Sequence, residues 1–233
     1  MYSKDFAITL AKRSADDASN FYILYSQKNG MQTVKVRGAK RSLSKMAGHL
    51  EPPALVEVFV ASGRKINYLA GANLIKRFNL NSLEKYRQQF WLVKVIMELF
   101  KENSGDLTMW LLLNEYYQQL DVIRTDKEAE LLKNIFIWRL GAVLGLKPDL
   151  INCHDCGRQA SGFYLNMNKG SLVCENCHSG GGYLLSGRIL ESLGHIYAVG
   201  LGSIFNELVG SDELFAFHNF TIKYWQHRLE TKL

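Results

Sequence analysis

All four cysteines of this 233-residue chain lie within 25 residues, as Cys153-His154-Asp155-Cys156 and Cys174-Glu175-Asn176-Cys177, with 17 residues between the pairs. A Cys-x-x-Cys turn aims two thiolates at one centre, and an excursion of that length can return a second pair to complete a tetrahedral all-sulfur shell. The spacing therefore predicts a ribbon holding one zinc ion through Cys153, Cys156, Cys174 and Cys177. Four thiolates leave no coordination position for water, so such an ion is structural. Two disulfides are the competing arrangement, but they need an oxidising compartment, and a chain of this length can bury a core without covalent staples. A redox Cys-x-x-Cys comes as one pair beside a βαβ pattern. Here Phe163-Tyr164-Leu165-Asn166 and Ser171-Leu172-Val173 read instead as two short strands around Asn168-Lys169-Gly170. His154 and His178 are spare ligand candidates.

The formal charge of +6 acquires meaning when it is divided along the chain. Residues 1–77 carry 13 Lys and Arg against 5 Asp and Glu, a net of +8, and residues 78–233 carry 15 against 17, a net of −2. Positive charge confined to one third of a chain is the footprint of a polyanion-binding surface, because phosphate neutralisation with counterion release supplies much of the affinity for nucleic acid. The hydrophobic content of 47% excludes global disorder. No stretch approaches the roughly 18 apolar residues of a membrane span and the N-terminus is unlike a leader, so a cytoplasmic protein without membrane contact is expected.

Short segments at 6–10, 20–25, 32–36, 55–60 and 66–70 read as five strands, broken at Asp16-Asp17, Asn29-Gly30, Gly38 and Gly63. Five strands in about 70 residues suggest a small closed barrel, either an OB-fold or an SH3-like one. The period then turns helical. Asn81-Ser82-Leu83-Glu84 resembles a capping box, with Leu83, Tyr86, Phe90, Val93, Met97 and Phe100 on one face. Asp106 is a cap for the stretch of Trp110, Leu113, Tyr117 and Leu120, and Asp126 for that of Leu131, Ile135, Trp138 and Val143. These stripes are expected in the core. After the ribbon, Ser179-Gly180-Gly181-Gly182 reads as a flexible exit. Ser186 is a cap for a helix through Ile189, Leu190 and Leu193, and a last helix is expected from Ser211-Asp212-Glu213 through Phe217, Phe220, Tyr224 and Leu229.

The expected architecture is α+β: an N-terminal five-stranded OB-fold barrel (1–79), a helical domain in two parts (80–150 and 183–233), and a four-cysteine zinc ribbon (151–182) inserted between them.

Five cations fall within the eleven residues from Lys35 to Lys45, around Gly38. Charges for a backbone beside ring faces for bases are the usual means of holding single strands. The candidate contacts are Lys35, Arg37, Lys40, Arg41 and Lys45, extended by Arg64 and Lys65 and by Lys12-Arg13 at other turns, with Tyr22, Tyr25 and Tyr68 as candidate ring faces. A solvated loop and ordinary barrel packing are the plainer readings. The isolated His49, His195, His218 and His227 are taken as structural. No Walker loop, Gly-x-Ser-x-Gly, His-Glu-x-x-His or dense acidic cluster occurs, which favours a binding protein over an enzyme.

The run Val36-Arg37-Gly38-Ala39-Lys40-Arg41-Ser42-Leu43-Ser44-Lys45, followed by Gly48-His49-Leu50-Glu51-Pro52 and Gly63-Arg64, resembles the N-terminal signature of the bacterial DNA repair protein RecO family. The order of parts matches along essentially the whole chain. It departs at Pro53, where the family usually has an aromatic, and at Asp16-Asp17 in the first turn. The resemblance implies a recombination mediator that binds single- and double-stranded DNA and anneals complementary strands. It also implies contact with the acidic C-terminal tail of single-stranded DNA-binding protein, cooperation with RecR, and, indirectly, loading of RecA in the bacterial cytoplasm at the nucleoid. The alternative from another class is a zinc-ribbon OB-fold RNA-binding or ribosome-associated factor.

Overall fold

The computed structural model describes residues 2–41, 44–166, 171–180, 183–185, 187–208, 218–222 and 224–225. The expectations attached to Ser42, Leu43, residues 168–170, Gly181, Gly182, Ser186, residues 211–213, Phe217, His227 and Leu229 lie outside the described residues. Two compact units occur, Met1–Ile123 and Arg124–Leu233.

In the first unit, β1 (Tyr2–Ser14), β2 (Asn20–Ser26), β3 (Gly30–Val36), β4 (Ala54–Ala61) and β5 (Asn67–Arg77) close a barrel in the order β1-β2-β3-β5-β4. The one parallel pairing of this barrel joins β3 to β5, through Val34 with Asn67 and Lys35 with Tyr68. A short helix, α1 (Lys45–His49), lies between β3 and β4. This is OB-like topology, and it decides between the two barrels that periodicity left open. Alternation is cleanest in β4, where Ala54, Val56, Val58 and Val60 point inward while the residues between them are half-exposed. With Ala7, Tyr22, Leu24, Val34, Val36, Leu50 and Leu69 they form the barrel core, against which Met46 and Ala47 of α1 pack.

The strand β1 is longer than its apolar segment at 6–10 suggests. Its first half pairs with β4 and its second half with β2, and a register shift between Thr9 and Ala11 bends it from one partner to the other. At the bend the buried Thr9 hydroxyl accepts from Ala54 N (2.8 Å) and lies 3.2 Å from Ala54 O as donor.

The helices α2 (Leu83–Leu99) and α3 (Leu107–Val122) belong to the same unit. Ser82 caps α2 by accepting from Lys85 N, one residue later than the box expected from Asn81. Asp106 caps α3 as expected, and Trp110, Leu113, Tyr117 and Leu120 are buried. The expected inward stripe of α2 is corrected. Leu83, Tyr86, Phe90 and Met97 are exposed, and the buried face is Lys85, Gln88, Leu92, Val95 and Ile96. Polar partners accompany this rotation. Lys85 Nζ donates to Asp121 O (2.8 Å), Gln89 Nε2 to Leu10 O (2.6 Å), and Tyr116 Oη to Gln88 Oε1 (3.2 Å). A buried amide or ammonium without partners is costly, and these hydrogen bonds satisfy the polar groups that lie on the buried face beside Leu92, Val95 and Ile96. Burial lowers the Lys85 pKa, and the nearby Asp121 carboxylate opposes the shift.

In the second unit, α4 (Asp126–Val143) is capped by Thr125 rather than by Asp126. The Thr125 side chain accepts from Glu128 N, and the Glu128 carboxylate accepts from Thr125 N. Trp138 on its buried face stacks with Phe220 (centroids 5.5 Å apart), meets Tyr224 and Trp225, and donates from Nε1 to Thr221 Oγ1 (2.8 Å). The ribbon strands β6 (Phe163–Asn166) and β7 (Ser171–Val173) form as expected. A third strand not foreseen from the sequence, β8 (Tyr183–Leu185), completes a sheet in the order β7-β6-β8. Helices α5 (Gly187–Ala198) and α6 (Leu201–Leu208) pack on α4. Among the described residues no helix is long and apolar enough to cross a membrane.

Gly141 sits beneath the Trp225 ring, and a Cβ there would lie 1.9 Å from Trp225 Cη2. Gly141→Ala is expected to destabilise the protein by about 1–3 kcal/mol through overpacking. Urea unfolding reads this as a lower midpoint, and an unchanged midpoint would count against this seating of Trp225.

Candidate nucleic-acid interface and metal centre

The basic turn is built on backbone geometry. Gly38 has φ +69°, a left-handed conformation that a glycine adopts without steric cost, and Arg41 N closes the turn on Gly38 O (3.2 Å). Two cations tie this turn to the loop joining β1 and β2. Lys35 Nζ pairs with Asp16 Oδ2 at 2.7 Å, and Lys40 Nζ donates to Ser14 Oγ (2.7 Å) and Asp16 O (2.6 Å). Hydrogen bonds from Lys35, then from Ala18 N, hold the Asp16 carboxyl well below the usual carboxylate range. Arg37 lies over the Tyr68 ring, 4.5 Å from its centroid. Arg64 and Lys65, in the β4–β5 loop, line a groove of about 420 Å³ with Arg13, Phe21 and Thr33. Gly63 permits this tight loop, since a Cβ there would meet Ile66 O at 2.1 Å. Lys45 is exposed at the start of α1, outside the residues lining the groove. Lys12 is held by Glu51 at 2.6 Å.

Two of the three expected ring faces are corrected. Tyr22 and Tyr25 are 1% and 0% exposed, and burial raises both pKa values, that of Tyr25 to about 12. They are interior packing; Tyr25 meets Phe100 edge-on at 6.0 Å. Tyr68 is half-buried, and Phe21, which the sequence reading passed over, joins it. Strand geometry puts Phe21 on the side opposite Tyr22, but the unbroken apolar run of β2 carries no signal of which side is interior. Registers align Arg13 with Phe21, Phe21 with Lys35, and Lys35 with Tyr68. Cation and ring thus alternate in one row across β1, β2, β3 and β5, with Arg13 and Lys35 5.4 and 6.0 Å from the Phe21 centroid.

In the second unit the four cysteine sulfurs lie within 4.8 Å of one another, and Cys156 Sγ is 3.9 Å from Cys174 Sγ. Metal–sulfur bonds of about 2.3 Å in a tetrahedron put sulfurs roughly 3.8 Å apart, whereas a disulfide needs about 2.05 Å. The four cysteines are free of disulfides. The first knuckle turns at Gly157 (φ +69°), whose N–H bonds Cys153 O (2.9 Å), and the second at Cys177 N to Cys174 O (3.1 Å). Burial pushes the Cys153 thiol up, but amide donors from Cys174, Cys156 and Asp155 outweigh it and hold the pKa at about 6. Cys177 is pushed up to about 12 by hydrogen bonds with Cys156 and Cys174. Four sulfurs this close resist sharing negative charge, which is the environment a thiophilic divalent cation relieves. The donor set fits such an ion. His154 pairs with Asp155 (3.0 Å) and His178 stacks on Tyr164 (4.0 Å), so the cluster is of cysteines alone among the described residues.

Residues 1–78 match the family model for the recombination protein O N terminus, and residues 91–233 match that for its C terminus. The chain belongs to the RecO family. Its relatives include DNA repair protein RecO of Dehalococcoides mccartyi, 28% identical over 180 residues that cover 76% of this chain and 70% of the relative. The RecO of Thermoanaerobacter sp. is 23% identical over 176 residues (75% and 70%), and that of Syntrophobacter fumaroxidans 27% over 176 (72% and 68%). The RecO N-terminal match ends at Phe78, just past β5, and contains all nine candidate cations. The RecO C-terminal match contains all four cysteines.

Asp16 acts within this face as an internal anion on Lys35. Its folded pKa lies below the unfolded value of about 3.9, so the pairing is complete above that pH and is lost only as pH falls towards the folded value. A partly exposed ion pair of this kind contributes little stability, so losing it to a competing phosphate costs little. Asp16→Asn should free Lys35 and raise the salt concentration needed to elute the protein from heparin. Unchanged elution would show that Asp16 does not restrain this face.

Proposed function

We propose that this chain is a DNA repair and recombination mediator that binds single- and double-stranded DNA, anneals complementary strands, and helps load recombinase onto strands coated by single-stranded DNA-binding protein. The observation that carries the reading is the cationic face of an OB-like barrel in a RecO-family chain. Arg37, Lys40, Arg41 and Lys35 bind phosphates beside the basic turn, Arg64 and Lys65 bind them along the groove, and Lys45 extends the patch. Annealing by such a surface needs charge and no bond chemistry. Cations between two backbones screen their repulsion while the bases stay free to pair. The protein is therefore read as a mediator and not an enzyme. RecR, the acidic tail of single-stranded DNA-binding protein and, indirectly, RecA are the partners that family membership suggests, in the cytoplasm at the nucleoid.

The division of labour follows the parts: residues 1–79 bind nucleic acid, 80–150 and 183–233 form the helical scaffold, and 151–182 form the ribbon. Zinc is the ion proposed for Cys153, Cys156, Cys174 and Cys177, because four thiolates in a closed shell suit it and leave no open position. Bound there, it fixes the two knuckles and the ribbon strands.

Two measurements test the reading. Annealing of complementary oligonucleotides, bare and coated with single-stranded DNA-binding protein, should be salt-sensitive and should be lost in the Arg37→Ala, Lys40→Ala, Arg41→Ala triple variant. Its single-strand salt slope should flatten by about 2, at roughly 0.7 per phosphate contact. Absence of annealing, with tight binding to structured RNA, would favour an RNA factor instead. Native mass spectrometry should find one zinc per chain, and Cys153→Ser should lower both zinc content and the thermal midpoint. Retained zinc with unchanged stability would exclude the structural-metal role.

A further inference from the structure

We infer that Phe21 and Tyr68 form a two-ring platform for unpaired bases, so that the barrel face tells single strands from duplex by ring contact rather than by charge. The inference rests on the DNA-binding reading above and adds a base-binding site to it. Phe21 and Tyr68 are both half-buried on the outer face, in a row whose remaining members are Arg13 and Lys35. Each ring lies beneath a cation: Tyr68 beneath Arg37, and Phe21 beneath Arg13 and Lys35. A nucleotide carries partners for both groups. Its base takes the ring face, and the displaced cation takes its phosphate, so neither is left unpartnered.

Spacing supplies the selectivity. Phe21 on β2 and Tyr68 on β5 are separated by β3, two interstrand steps of about 4.8 Å, hence roughly 10 Å. Neighbouring bases in a stacked strand rise only about 3.4 Å, so bases must splay to reach both rings. A duplex hides its base faces and offers the row its phosphates alone. Arg64 and Lys65 wall the groove beside Phe21, where backbone leaving the rings would run. The acid lining this groove, Glu102, is engaged by the Thr33 hydroxyl. Ordinary surface packing of two rings under cations would produce the same contacts but no difference between strand types.

The test is fluorescence anisotropy with a single-stranded oligonucleotide and a duplex of equal length, on wild type and the double variant Phe21→Leu, Tyr68→Leu, which keeps apolar bulk and removes the ring faces. Single-strand affinity should fall about tenfold or more, duplex affinity should change less than twofold, and the salt slope should be unchanged. Tyr68→Phe should behave as wild type, and 2-aminopurine in the single strand should change its fluorescence as bases splay on binding wild type but not on binding the double variant. Thermal midpoints of all variants check folding. Equal losses on both ligands, or none on the single strand, would overturn the platform while leaving the DNA-binding reading intact. A wild type that binds neither ligand would overturn both, and that failure is distinguishable because it appears without any substitution.

Discussion

The proposed nucleic-acid face depends on two parallel bridges, Val34 with Asn67 and Lys35 with Tyr68, which close β3 onto β5. Without that closure Tyr68 would lie far from the basic turn, and the row from Arg13 through Phe21 and Lys35 would end at β3. The bridges also hold the β4–β5 loop, with Arg64 and Lys65, at the end of the barrel where Phe21 is half-exposed. A parallel pairing demands a crossover, and the segment with α1 and β4 supplies it while Leu50 joins the barrel core and Met46 packs against it. The same chain segment therefore both supplies core and positions charge.

Charge on this face is restrained as well as concentrated. Asp16 occupies Lys35 with its carboxylate and Lys40 with its carbonyl, so two of the cations nearest Gly38 are already partnered in the free protein. Such contacts contribute little stability, so they order the turn in the free protein at the cost of offsetting the Lys35 charge. The second unit works differently. There the order comes from a buried aromatic cluster around Trp138 and from four sulfurs held close enough to share one ion.

Much of this was legible in the sequence, in proportion to how local the signal was. The cysteine spacing announced a four-sulfur cluster because a Cys-x-x-Cys turn is set by a few neighbouring residues. The confinement of positive charge to residues 1–77 marked the barrel, and Asp106 was correctly read as a cap. Two other caps lie one residue from where the sequence pattern points, at Ser82 rather than Asn81 and at Thr125 rather than Asp126. The larger misreading was α2, where an apolar stripe at helical spacing was expected inside. The partners that Gln88, Gln89 and Lys85 meet are Tyr116, Leu10 and Asp121, distant in sequence, and periodicity carries no information about them.

Alternation along β2 establishes that Phe21 and Tyr22 point to opposite sides, but not which side is the interior. By itself, then, the sequence determined the sulfur donor set, the strand-rich basic third and the helical remainder, because spacing, charge and period are properties of short segments. Only the tertiary structure decided that Tyr22 and Tyr25 fill the core, that Phe21 and Tyr68 share an outer row with Arg13 and Lys35, and that β3 closes on β5. Each of those outcomes is set by which distant strand supplies the next hydrogen-bonded partner.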